Sequence, residues 1–414
     1  MKSLSLFFLM LLVPALAAAD SVTVTGGKQD ATNVVVTTDT EFAFDITAND
    51  VKTFAQRSGK KSLIVLPVVK AGESITIKPW VPKKGDPAPG QPAMFKFVEK
   101  AGEYVDVNFE NRPVLRFVNK PHDASTADSH YMTFKPFHQV FDPATGKTLL
   151  TSGAHPNTKE FLYPHHRGLF FGFNRISYGD KQTADIWHGT DKVYSTCNKM
   201  ISTEEGPVFA RHKAAISWHG KDDKAFANEE REVTVYNLPG GTLIDWNTTL
   251  VTDFPKVRLD GDPQHAGFHF RANMEVATNI EAEKALAKKE NRPVKPADTY
   301  YLRPDGKGKP GETRNWDAKG KNDKAVNLPW NAMSCVIGEK RYTVLRINHP
   351  DNPGEKRGSE RDYGRFGDYF EYDLTPKTPL KLKYRVWVQL GEMTVPQCEA
   401  MANGFVNPPE VKGK

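Results

Sequence analysis

Short runs in which apolar and polar residues alternate recur along most of the chain, the period-two pattern of strands that bury one face. The first group occupies residues 21–25, 33–37, 41–45, 62–66 and 74–78, and is rich in Val, Ile and Thr. Pro82 to Pro92, with Gly85, Pro87, Pro89 and Gly90 between them, breaks the pattern and reads as a linker. The runs resume at 104–109, 114–118, 169–173, 232–236, 243–250, 267–271, 342–346 and 380–388. Residues 281–289 are the clearest helical segment, and 305–324, rich in Gly, Lys, Asn and Asp, reads as a long surface loop. Many short strands with few helices predict an all-β antiparallel sandwich and not an alternating α/β sheet.

The amino terminus has a different pattern. Lys2 precedes an apolar run over residues 4–12, and Ala15 to Ala19 supply small residues before Asp20. This is the layout of a secretory signal peptide, residues 1–19, cleaved after Ala17 or Ala19. Its apolar run is shorter than the roughly 20 residues a membrane span needs. The expectation is an exported protein, periplasmic or extracellular, without membrane insertion. The roughly 395 residues that follow suggest two domains, or one large β domain with an appendage, at about 150 residues per domain. A small β domain with its linker is expected over 20–95, a large sandwich over 96–395, and a C-terminal tail over 396–414.

Charge adds little. The formal net charge of +6 is spread over basic and acidic residues along the whole chain, which predicts no nucleic-acid tract and no membrane-binding stripe. Three cysteines, Cys197, Cys335 and Cys398, lack CxxC spacing and allow at most one disulfide, leaving one free thiol.

Candidate chemistry gathers where the 12 histidines meet arginines at strand edges. The densest block is Tyr163-Pro164-His165-His166-Arg167-Gly168, feeding into the strand at 169–173. Neighbours on an extended backbone point to opposite faces, so only one of His165 and His166 is expected in any one pocket. In the second block His265, Gly267, His269 and Arg271 share one strand face, while Phe268 and Phe270 pack on the other. His265 and His269 would then lie about 13 Å apart, too far to share a metal, and the glutamate of HExxH is missing. His269 beside Arg271 suits acid-base work on an anionic or hydroxyl-rich substrate, since imidazole titrates near neutrality and guanidinium forks onto a carboxylate.

A third block, His349 to Pro353 followed by Arg361-Asp362-Tyr363-Gly364-Arg365-Phe366, reads as loop. It offers Tyr363 as acid or base and Arg361 as an anion clamp. Further candidates are Lys135 and His138, the pair Trp187-His188, Glu229 or Glu230 as a carboxylate base, and Trp187 or Trp218 as sugar-stacking platforms. There is no GxSxG, P-loop or dinucleotide fingerprint.

Residues 113–117, 135–138, Pro143-Ala144-Thr145-Gly146, the block from Pro164 to Gly172, His265 to His269 and Arg361 to Phe366 together resemble a secreted bacterial family of unknown function that carries the label methane oxygenase PmoA-like. The resemblance covers roughly residues 100 to 390. The label implies a membrane oxygenase, which a chain with no spanning segment after residue 19 does not suit. The resemblance also implies a β-supersandwich related to galactose mutarotase and polysaccharide lyases.

The expected function is therefore acid-base catalysis on a carbohydrate, by β-elimination, hydrolysis or epimerisation. His166, His269, Tyr363 and Glu230 are the catalytic candidates. His165, Arg167, Arg271, His138, His349, Arg361 and Trp187 are the substrate-binding candidates. No cofactor and no metal ligand set is predicted, with calcium at loop carboxylates left open, as is the oligomeric state. A non-catalytic carbohydrate-binding or surface-assembly protein is the second reading, and a metal-dependent oxidoreductase the third.

Overall fold

The computed structural model describes residues 21–83 and 92–413. The expected signal peptide and most of the expected linker lie outside the described residues.

The alternation seen in the sequence folds into antiparallel sheets throughout. Eight strands form one large sheet in the order Arg357–Arg361, Arg365–Tyr369, Ala266–Arg271, Leu169–Phe173, Phe137–Val140, Arg112–Val118, Tyr104–Phe109 and Phe95–Lys100. Nine form a second, with Phe209–His219, Ala225–Tyr236, Gly241–Val251 and Leu380–Leu390 at its centre. The two sheets pack face to face. Phe171, Phe268 and Phe366 of the first meet Trp218, Trp246 and Tyr384 of the second in one buried core, with Trp246 and Phe268 rings 4.5 Å apart. The protein is an all-β sandwich, as expected. A small four-stranded sheet, which includes Arg175–Tyr178 and Val257–Asp260, borders one end.

The N-terminal strands build a seven-stranded sheet with its own core of Val22, Val24, Val34, Ile46, Ile64 and Ile77. Leu63 and Val65 of this sheet turn outward and pack on Phe209, Leu243 and Trp387 of the nine-stranded sheet, on the side away from the sandwich core. Within 396–414, expected as a tail, residues 396–413 are packed into the fold. Val395–Val406 is a helix that buries Cys398, Met401 and Ala402 in that same interface, and Glu410–Gly413 pairs with Val22–Thr25 at the edge of the seven-stranded sheet. Residues 41–44, expected as part of a strand, are irregular, and the strand is instead Asp45–Ala48. The predicted helix is longer, Met274–Glu290, capped by Asn273. All three cysteines are free.

Two glycines fix the backbone around the eight-stranded sheet. Gly168 has φ +53° and its Cα faces the His138 carbonyl, where a Cβ would sit 1.9 Å from the oxygen. Gly267 has φ +90° and is equally close to the Asp368 carbonyl. Only glycine adopts these conformations without strain at such contact distances.

Candidate functional site

Because side chains alternate along a strand, the eight-stranded sheet has one face in the sandwich core and a second, outer face. Leu169, Phe171 and Phe173 point inward. Phe170 points outward, against Phe137 and Trp187. Loops roof this outer face, and there the histidines gather.

The block at 163–168 is a turn and not an extended strand. Tyr163 takes φ +55°, and the His166 amide donates to the Tyr163 carbonyl at 3.0 Å. The turn brings both histidines to one side, their rings edge-to-face at 4.1 Å. The expectation that only one enters a pocket is overturned by this local conformation. His265 joins from the segment before Ala266–Arg271, and ligand nitrogens of His165, His166 and His265 all lie within 4.8 Å of one another. His188 completes the group, 4.6 Å from His165 and 4.8 Å from His265 between ring centres.

Two of these rings are oriented by carboxylates. His188 holds Asp185 through Nδ1 at 2.8 Å, and His265 holds Asp262 through Nδ1 at 2.8 Å. Asn174 donates to the other Asp262 oxygen. Burial works against the Asp262 charge, yet the bonds from His265 and the Gln264 amide hold its carboxyl well below the usual range. The sequence reading missed both aspartates. The signal was present as two Asp-x-x-His spacings, 185/188 and 262/265, in which a turn lets the carboxylate cap its own histidine.

His188 and His265 keep 27% and 26% of their side chains exposed, so the cluster opens to solvent on their side. On the opposite side it is closed. His166 is fully buried, and burial, with His165 and Arg365 nearby, pushes its imidazole well below the ordinary value. Trp187, expected as an exposed stacking platform, is buried and forms the floor, its ring edge-on to His166 at 5.6 Å. The aromatic surface at the mouth is instead Tyr163, exposed and stacked on Tyr363 at 4.1 Å. Burial and the neighbouring Tyr363 raise the Tyr163 phenol, which stays protonated.

Several candidates support the site from behind. His269 lies under Trp187, fully buried, accepting from Arg365 Nη1 at 3.1 Å and donating through Nε2 to the Ala266 carbonyl at 2.9 Å. With both nitrogens engaged it has none left for proton transfer, which corrects its catalytic assignment. Arg271 donates to the carbonyls of Tyr363 and Leu162, and Arg167 to those of Tyr131 and Met132. Burial lowers both guanidinium groups to about 10. Neither is available to clamp a substrate carboxylate; each ties loops onto the sheet. Lys135 is buried as well, donating to the Trp187 carbonyl at 2.7 Å.

Three candidates lie elsewhere. His138 sits on the inner face of the sheet, one residue out of phase with Phe137, bonded to His212 Nε2 at 3.0 Å inside the sandwich. Glu230 is exposed on the nine-stranded sheet, paired with Lys213. Its neighbour Glu229 is the buried one, bound to Arg231, Trp218 and Thr248. His349 contacts Asp351 and the ring of Phe405 in the C-terminal helix.

Two cavities reach residues that hold or neighbour the cluster, though no histidine lines either. One, of about 260 Å³, is lined by Tyr163, Gln264, Glu281, Lys284, Arg361 and Tyr363. The other, of about 400 Å³, is lined by Asn174, Asp185, Asp191, Lys221, Arg258 and Asp260. Among the described residues no helix is long and apolar enough to cross a membrane.

Fold and site together define a β-sandwich protein with a histidine-lined, solvent-open site on the outer face of one sheet. A profile of a family of unknown function, DUF6807, matches residues 104–403, and the chain belongs to that family. The match does not confirm the methane oxygenase label. No curated protein matches the chain significantly. Among solved structures, a galactose mutarotase related enzyme from Lactobacillus acidophilus is similar at 10% identity over 72% of this chain and 98% of that one, with a TM-score of 0.32, a likeness too slight to bear on function.

Proposed function

We propose that this protein acts on an anionic or hydroxyl-rich carbohydrate by acid-base chemistry at the histidine cluster. The observation that carries the reading is a solvent-open histidine cluster, two of whose imidazoles are oriented by carboxylates, with an exposed tyrosine ring at its mouth. Aromatic faces stack on sugar rings, and polar walls exchange hydrogen bonds with hydroxyls. His188, its Nδ1 held by Asp185, presents Nε2 as the base, in the manner of a histidine oriented by a carboxylate. Tyr363 or Tyr163 is the proton donor. Arg361, which lines the smaller cavity, is the guanidinium placed to meet a uronate carboxylate. In an elimination the base takes the α proton, the carbon–carbon double bond forms, the carbon–oxygen bond breaks, and tyrosine protonates the leaving oxygen.

The test is incubation with uronic-acid polymers and 3-keto-glycosides, following unsaturated products by absorbance and binding by calorimetry. Turnover that disappears in His188→Ala and Tyr363→Phe is the expected result. Binding without turnover moves the protein to the carbohydrate-binding reading, and neither binding nor turnover ends the proposal.

A further inference from the structure

The four imidazoles of the cluster are not equivalent. His265 and His188 have carboxylate partners on Nδ1. His165 Nε2 and both nitrogens of His166 are buried and have no hydrogen-bond partner among the described residues. An unsatisfied buried polar atom is destabilising, so a packing histidine normally finds a partner. His269, a few ångströms behind, does so at both nitrogens. A cation shared with His265 would take one nitrogen from each ring and so partner His165 Nε2 and one of the two His166 nitrogens.

We propose that His165, His166 and His265 bind one divalent transition-metal ion of the zinc type. Their ligand nitrogens already lie within 4.8 Å of one another. The Asp262 carboxylate on His265 Nδ1, itself held by Asn174, is the outer support that fixes the ring and turns Nε2 toward a metal. An imidazole-only set selects zinc, copper, nickel or iron over calcium and magnesium, which take oxygen ligands. Three protein ligands leave a fourth position, and here it faces the solvent side where His188 lies. Arg365, anchored at His269, adds positive charge behind the site. The fourth ligand is therefore an anion, such as hydroxide or a substrate oxyanion. Proton transfer stays with His188, which is outside the ligand set.

The inference stands apart from the sugar reading and is read without substrate. The full chain, stripped with a chelator, is titrated with Zn²⁺ by calorimetry and with Co²⁺ by visible absorption. One ion per chain and the absorption of a four-coordinate Co²⁺ are expected. His265→Gln should weaken binding by roughly 100-fold or more and Asp262→Asn by roughly 10-fold, the usual range for outer-sphere support. His219→Gln, at a histidine bonded to Ser217 and Asp223, should change nothing. Absence of stoichiometric binding, or binding equally tight in His265→Gln and Asp262→Asn, overturns the proposal. If His265→Gln does not fold, Asp262→Asn decides alone. A chain that binds zinc but leaves every sugar untouched keeps this inference and loses the other, and the converse separates them equally.

Discussion

The two faces of the eight-stranded sheet each carry buried histidines, and they differ in what surrounds them. On the inner face His138 and His212 bond to each other and stack on Phe117, at 4.6 and 5.2 Å between rings. They are sealed between the two sheets. On the outer face His165, His166, His188 and His265 meet under loops, two of them held by aspartates, two with nitrogens that have no partner, and the group opens to solvent. Burial lowers the basicity of both groups, so depressed titration does not distinguish a core pair from a site. Access and the partner of each nitrogen do.

The most damaging change joins the two regions. Gly168→Ala should cost roughly 3–5 kcal/mol, since the new Cβ meets the His138 carbonyl in a left-handed conformation. Denaturant unfolding should show a large fall in midpoint, and a near-neutral result means the turn does not rest on that strand. A smaller effect is expected from His138→Leu, which leaves His212 unpartnered and costs about 1–3 kcal/mol. It should leave ligand and metal binding at the outer cluster unchanged, as measured by calorimetry, and altered binding would break the separation of the two faces.

Acid should expose the inner pair next. Burial, followed by the nearby Arg231, pushes His212 down to about 3 from an ordinary 6.5. The unfolded chain therefore binds a proton that the folded one refuses, and stability falls as pH drops from 6.5 toward 3. The slope is up to about 1.4 kcal/mol per pH unit for this one group. Unfolding midpoints across that window should flatten in the double variant His138→Leu/His212→Leu; an unchanged slope means the pair is not held neutral. The smallest effect belongs to Glu230→Gln on the exposed sheet surface, expected within about 0.5 kcal/mol of the parent and without influence on turnover in the carbohydrate assay.

Much of the fold was legible because alternation is a local signal. The run at 169–173 became the strand Leu169–Phe173, and Phe268 and Phe270 went into the core as their phase required. The strands Tyr194–Glu204 and Val51–Ser58 escaped notice because polar and charged residues interrupt their alternation. The role of residues 395–413 escaped for another reason: pairing with Val22–Thr25 is a contact across nearly the whole chain, which no local pattern encodes.

By itself the sequence determined that the protein is a β-sandwich with reactive side chains crowded near residues 163–168, 265–271 and 361–366. That follows from residue types and from a two-residue period, both short-range. Only the tertiary structure decided which of those side chains meet. The turn after Tyr163 put His165 and His166 on one side, and strand phase sent His138 to the opposite face. Arg167, Arg271 and His269 were absorbed into holding loops, while His188 and the two aspartates were brought in. Convergence depends on contacts between segments about 100 residues apart, and hydrophobic phase says which face a residue occupies, never which distant residue will share it.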